Sequence, residues 1–342
     1  MLSSSILDQV PEYAPYMKML LRPKHECRLD EMYYQSRKVN GYFMNISLFR
    51  RHNYDDIYTS SKVKVPCELI RPGNTKIGRI KNLIVTTKAP DVVKATKVVL
   101  PYLEKKSKIV LLCNGALAVR EELISALKVA GIYSEVNIVL GSITHGSHQD
   151  VSRIKDSSKD ERSSYNVVHA GNGNLYVESQ SIASVFQLSD SLSCEYTSSK
   201  EMEDILWDKL AANCVINPLT ALFRCNNGDI LQHENSRSTL QSILKEVSEV
   251  ATRHRKEAFG LDDERFSYDR LNNFVENVIN LTANNKSSML QDVENCRSTE
   301  IEYLNGFVCK LGRKYGIPTF KNDELRESVS DLLTTGSQDV DR

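Results

Sequence analysis

The first half of the chain alternates short, densely apolar runs with amphipathic stretches. The runs NLIVTTK (82–88), KIVLLCNG (108–115) and VNIVLGSITHG (136–146) read as buried strands, as does the earlier YMKMLLR (16–22). Between them, DVVKATKVVLPYLEKK (91–106) and REELISALKVAG (120–131) repeat their apolar positions at helical spacing. Buried strands separated by amphipathic helices predict a parallel α/β sheet. The pattern is interrupted by KVNGYFMNISLFRR, where Asn40-Gly41 is a hairpin signal, and YNVVHAGNGNLYVE (165–178) reads as a second hairpin about a Gly-Asn turn. Serine-rich SDSLSCEYTSSK (189–200) is the expected linker. Beyond it the periodicity turns helical over 201–222, 236–259, 268–283 and a long run from about 288 to 314, and the last ten or so residues lose it. The expected organisation is an α/β domain over 1–195, an all-α domain over 196–332 and a frayed tail over 333–342.

Composition narrows the function. The 342 residues suit two domains, and lysine plus arginine equals aspartate plus glutamate at 44 each, so no broad phosphate-binding surface is implied and nucleic acid is a poor partner. Eight cysteines are scattered without a CxxC spacing, which points to reduced thiols and to neither a disulfide frame nor a metal site. No apolar run approaches the roughly 18 residues that cross a bilayer, and the first residues carry no targeting pattern, so a soluble protein of the cell interior is expected.

The stretch WDKLAANCVINPLTALFRCNNGDIL (207–231) holds the candidate chemistry. On a helix, Lys209, Asn213 and Asn217 advance about 40° per step and form one polar stripe beside Leu206, Leu210 and Cys214. Such a stripe belongs at the lip of a cleft; the plainer reading is a solvated lysine and capping asparagines. Pro218 disfavours helical geometry at Asn217 and is expected to bend or end the helix there, turning that side chain inward.

KLAANCVINPLTALFRCNNGDIL (209–231) resembles, almost residue for residue, the signature of the ketopantoate reductase family, NADPH-dependent 2-dehydropantoate 2-reductases of pantothenate synthesis. The resemblance continues in SSMLQDVENCRSTEIEYLNGF (287–307), LIVTTKA (83–89) and LLCNG (111–115), in order, from about Arg22 to Lys314. It implies a Rossmann-like parallel sheet followed by a helical domain, NADPH as cofactor, and a small 2-keto acid as substrate, and it allows a homodimer. It puts the general-acid lysine at Lys209 and substrate contacts at Asn213, Asn217, Asn227, Ser288 and Glu300. Cofactor contacts fall on Arg22, Lys88, Asn114 and Glu300, and His145 also matches a family position. An ammonium beside a ketone oxygen can neutralise and protonate the charge that hydride delivery builds there. Taken alone, Ser288 reads as a helix cap, Glu300 as a solvated charge, Lys88 as a strand-end charge, Asn114-Gly115 as a turn and His145 as structural.

A dinucleotide fold of this kind opens on a strand, a G-x-G-x-x-G turn and a helix. Here no glycine precedes Gly41, and only 21 residues precede Arg22, so the first strand is expected to be missing. AGNGN (170–174) does not replace the loop, since no helix is expected after it. Two explanations follow. In one, an initial segment is absent from this version of an ordinary reductase, cytoplasmic or, with a different start, mitochondrial. In the other, the fold persists in a non-catalytic descendant with a binding role, such as a fungal mitochondrial translational activator. The joint presence of Lys209, Asn213, Asn217, Ser288 and Glu300 favours the enzyme. The chain as written is expected to bind NADPH weakly, because backbone N–H groups that would hold the pyrophosphate are missing.

Overall fold

A computed structural model describes residues 17–20, 42–52, 57–67, 79–149, 164–234 and 236–336. The chain forms two compact units. The first takes residues 1–87, 92–113 and 127–198; the second takes 88–91, 114–126 and everything from Ser199 onward.

Among the described residues of the first unit, ten strands form two sheets. The larger runs β1-β4-β5-β6-β9-β10: Met17–Leu20, Ile80–Val85, Leu103–Leu111, Asn137–Ile143, Leu175–Val177 and Cys194–Tyr196. Neighbours are parallel except β6 and β9. Met17 pairs with Asn82 and Leu20 with Val85, so β1 borders β4 directly and, among the described residues, is the sheet's edge. The smaller sheet orders β3-β2-β8-β7, from Tyr42–His52 (β2), Ile57–Cys67 (β3), Gly146–Gln149 (β7) and Ser164–Gly171 (β8). Leu83, Ile84 and Val85 in β4 and Ile109, Val110 and Leu111 in β5 are fully buried, the unbroken apolar run of a strand covered on both faces. Helix α1 (Val92–Val99) turns Val92, Thr96 and Val99 inward at four- and three-residue steps. A second core cluster sets Ile182, Ala183 and Phe186 of α3 (Gln180–Phe186) against Val139, Leu175 and Val177; α2 is Ala116–Val129.

Several expectations are corrected here. The helix over 91–106 stops at Val99. Pro101, with no N–H to donate, sits in the 3-10 turn Leu100–Tyr102, and Leu103 already begins β5. Asn40-Gly41 lies outside the described residues; the strands that follow it, Tyr42–His52 and Ile57–Cys67, pair antiparallel. YNVVHAGNGNLYVE is not a hairpin, since β8 belongs to the small sheet and β9 to the large one. A Cβ on Gly173 would lie 2.4 Å from the Thr144 carbonyl carbon and 2.5 Å from the His145 nitrogen, so only a glycine lets the chain cross between the sheets this closely. The expected linker holds a strand, with Cys194 opposite Leu175.

The second unit is helical: α4 Ser199–Phe223, α5 Ser236–Phe259, α6 Tyr268–Leu281, α7 Ser288–Glu294, α8 Asn305–Tyr315 and α9 Phe320–Gly336, the last reaching into the expected tail. The run expected over 288–314 breaks after Glu294. Cys296 adopts φ 50°, its N–H bonds the Val293 carbonyl at 3.1 Å, and the Arg297 N–H bonds the Asp292 carbonyl at 2.8 Å. That is a Schellman stop, built here without glycine.

Pro218 neither ends α4 nor exposes its ladder. The helix continues to Phe223. The Cys214 carbonyl, which loses its partner because residue 218 has no N–H, accepts instead from the Asn305 Nδ2 at 3.0 Å. The same amide group donates to Asn322 Oδ1 at 2.9 Å, and Asn322 donates to Glu246 at 2.7 Å, which binds α8, α9 and α5 to the helix carrying the polar stripe.

Candidate active site

The first half of helix α4 is held by charge and by aromatic packing. Asp204 pairs with Arg255 and Arg265, and Asp208, one turn on, accepts from Arg265 at 2.6 Å and from Arg270 at 2.7 Å. Glu203 accepts from both Arg120 nitrogens at 3.2 Å and from His254 at 2.7 Å. Burial alone would raise the Glu203 carboxyl, but the His254 hydrogen bond and the Arg120 charge outweigh it and hold the group below the ordinary carboxylate value. Trp207 is buried with its ring against His254, Phe266 and Phe307. With rotation fixed this way, Lys209 and Asn213 are half-buried and Asn217 is 6% exposed, so the stripe passes from partial access into the interior.

Thr220, one turn after Asn217, links the stripe to α7. Its hydroxyl lies 2.7 Å from the Ile216 carbonyl, 3.1 Å from the Asn217 carbonyl and 2.6 Å from Ser287 Oγ, which in turn accepts from the Leu290 N–H at 3.0 Å. Ser287 is therefore the buried cap of α7, and Ser288 beside it is exposed. Asn227 is 7% exposed. Its Nδ2 donates to Thr282 Oγ1 at 2.9 Å and its N–H to the Asn285 carbonyl at 3.0 Å, while its Oδ1 is buried with no hydrogen-bond partner among the described residues.

The helical unit also takes in two segments that follow strands of the large sheet. Glu300, 8% exposed, accepts from the Ala89 N–H at 2.9 Å and from Asn114 Nδ2 at 3.2 Å. Lys88 donates to Asp292 Oδ2 and, at 3.3 Å, to the Ser298 carbonyl. Gly115 follows Asn114 at φ 64°; a Cβ there would meet Tyr303 Cβ at 2.7 Å and its carbonyl oxygen at 2.8 Å. Both the left-handed backbone and the contact demand glycine. Gly115→Ala is expected to cost about 2 kcal/mol or more of stability, read as a lower denaturant midpoint at unchanged m; an unchanged midpoint would mean that the Asn114-Gly115 turn relaxes freely.

Lys88, Asn114 and Glu300 thus meet in one unit, and Asn217 is tied through Thr220 to the α7 cap. His145 lies in the first unit with its ring engaged there: 3.1 Å from His169 Nε2, 3.0 Å from the Leu192 carbonyl, and accepting from the Gly173 N–H at 3.2 Å. That bracing fits the structural reading. Arg22 lies outside the described residues. Sequence reasoning missed Asp292, Arg297, Thr220 and Ser287, though all stand inside or beside the quoted motifs; the buried positions of α7 were the available signal for Asp292. Among the described residues there is no cluster of histidine, cysteine and carboxylate able to hold a metal ion, and no helix long and apolar enough to cross a membrane.

Two family models match. "Ketopantoate reductase PanE/ApbA" covers residues 28–181 and "Ketopantoate reductase PanE/ApbA C terminal" covers 201–332. A 2-dehydropantoate 2-reductase of Escherichia coli O157:H7 is 32% identical over 252 residues, 72% of each chain. The fold is shared with a PanE/ApbA family ketopantoate reductase from Ralstonia eutropha, at TM-score 0.66 and 20% identity over 85% of this chain and 86% of that one. It is shared as well with D-mandelate dehydrogenase solved with NADH and anilino(oxo)acetate, at TM-score 0.69 and 18% identity over 96% and 93%.

Proposed function

Because the chain belongs to the ketopantoate reductase family, we propose that it reduces 2-dehydropantoate to pantoate with NADPH, a step of pantothenate and coenzyme A synthesis. The observation that carries the reading is the Glu300 junction. One buried carboxylate holds both Ala89 and Asn114, in the segments that follow β4 and β5 and carry the nucleotide positions Lys88 and Asn114 of the family resemblance, while Glu300 itself is assigned to both ligands.

The residues present fit a nicotinamide nucleotide. Ligands of open parallel sheets bind beyond the carboxyl ends of the strands, and just past β4, beside Lys88, the Thr87 hydroxyl is buried with no partner among the described residues. In this reading Lys88, Asn114 and Glu300 would hold the cofactor, with Arg22 a further contact from the sequence match, and NADPH supplies the hydride. Lys209 donates a hydrogen bond and then a proton to the ketone oxygen as charge gathers there. Asn213 and Asn217 orient the keto acid without adding charge, and Ser288 and Glu300 contact it from the α7 side. The Asn227 Oδ1, unpartnered among the described residues, is an acceptor that a ligand hydroxyl would satisfy, which favours a hydroxylated 2-keto acid over its deoxy analogue.

The test is NADPH oxidation with 2-dehydropantoate, with 3,3-dimethyl-2-oxobutanoate, which lacks the hydroxyl, and with pyruvate. Turnover should be fastest with the hydroxylated acid, and Asn227→Ala should narrow its lead by about tenfold. A folded chain that binds no nucleotide and turns over none of the three would favour the non-catalytic descendant.

A further inference from the structure

Lys88 does not stand alone at the end of its strand. Its ammonium is taken up by Asp292, whose side chain is 7% exposed against 30% for the lysine. The same carboxylate has a second cation: Arg297 Nε bonds Asp292 Oδ1 at 3.1 Å, so the two cations use different oxygens. Their attachments differ. Arg297 is built into the end of α7, with its Nη2 on the Gln291 carbonyl at 3.1 Å and its N–H on the Asp292 carbonyl at 2.8 Å. Lys88 arrives from a segment 204 residues away and, among the described residues, otherwise holds only the Ser298 carbonyl, at 3.3 Å. One counter-ion is resident and the other can leave.

Removing the partner of a buried carboxylate is costly when nothing replaces it. Here Arg297 stays in place whatever Lys88 does. We infer that Lys88 exchanges partners, leaving Asp292 for an oxyanion of the bound nucleotide, and that Arg297 makes the exchange possible by keeping Asp292 neutralised. Asp292 and Arg297 are positioning residues that act through Lys88. The inference rests on the nucleotide reading given above.

The two residues therefore have opposite effects. Asp292→Asn releases the ammonium in advance, so the dissociation constant for NADPH, measured by titration calorimetry without keto acid, should fall about threefold or more. Arg297→Met obliges NADPH to strand a buried charge, so the constant should rise on the order of tenfold, and Arg297→Lys should restore most of it. In the double variant, with Asp292 already neutral, loss of Arg297 should have no further effect. A merely structural role would weaken binding in both single variants, and the double would be worse. That result, or Arg297→Met binding like wild type, overturns the inference while leaving the reductase reading standing. A wild-type chain that binds no nicotinamide nucleotide overturns both. A parallel titration with 2-dehydropantoate alone identifies the oxyanion: opposite shifts there, and none with NADPH, would overturn the nucleotide assignment.

Discussion

Lys209→Ala is expected to lower the turnover of 2-keto acid reduction by about two orders of magnitude or more, with the affinity for NADPH nearly unchanged. The size follows from what the ammonium would do. Hydride arrival leaves a full charge on the ketone oxygen, and a cation within hydrogen-bond reach both stabilises that charge and supplies the proton. Along the stripe, Asn213 and Asn217 can orient the oxygen but have no proton of suitable acidity to give. The effect should fall on chemistry because this part of the helix is anchored by other groups: Asp204, about one turn earlier, and Asp208, the preceding residue, pair with Arg255, Arg265 and Arg270. Steady-state kinetics and calorimetry on the same preparation separate the two quantities. Near-normal turnover would remove Lys209 from the reaction and return it to the role of a lysine at a helix surface.

The second large effect is on stability. Asn305→Ala should cost about 3 kcal/mol, since it leaves the Cys214 carbonyl and Asn322 Oδ1 buried without donors, at about 1–3 kcal/mol each. Asn305 is completely buried, so water does not replace the lost amide without further rearrangement. Urea unfolding should show a lower midpoint, and with it a loss of the uninterrupted course of α4 past Pro218. Should the midpoint match wild type, the proline-freed carbonyl must be satisfied in some other way, and Asn305 would be incidental to the helix.

This pair of residues also shows what can be read from one sequence. Local periodicity gives what is local: the span 236–259 of α5, and the stripe Lys209, Asn213, Asn217, which needs only the helical repeat. Pro218 misleads because its remedy, Asn305, is supplied by another helix nearly ninety positions on, and propensity carries no information about such a donor. The break after Glu294 is silent for a similar reason: the left-handed residue is Cys296, not the glycine that would have announced a stop. YNVVHAGNGNLYVE has every local mark of a hairpin, yet its two strands join different sheets, because sheet membership depends on partners elsewhere in the chain. At the candidate site, the motif match supplies the residue types, but the pairing of Lys88 with Asp292 is not in it, being a contact between distant segments.

The assignment of residues 88–91 and 114–126 to the helical unit bears on how such a protein could be taken apart or recombined. The chain passes from one unit to the other after residues 87, 91, 113, 126 and 198, five crossings in all. A fragment begun at Ser199 would hold every helix from α4 onward yet be deprived of its borrowed pieces: Glu300 without the Ala89 N–H and Asn114, Glu203 without Arg120, Asp292 without Lys88. Three buried carboxylates would each be stripped of a donor by one cut. Chimaeras that join the sheet of one relative to the helices of another at that single site would inherit the same mismatch, so the unit of exchange is the helical part together with both excursions.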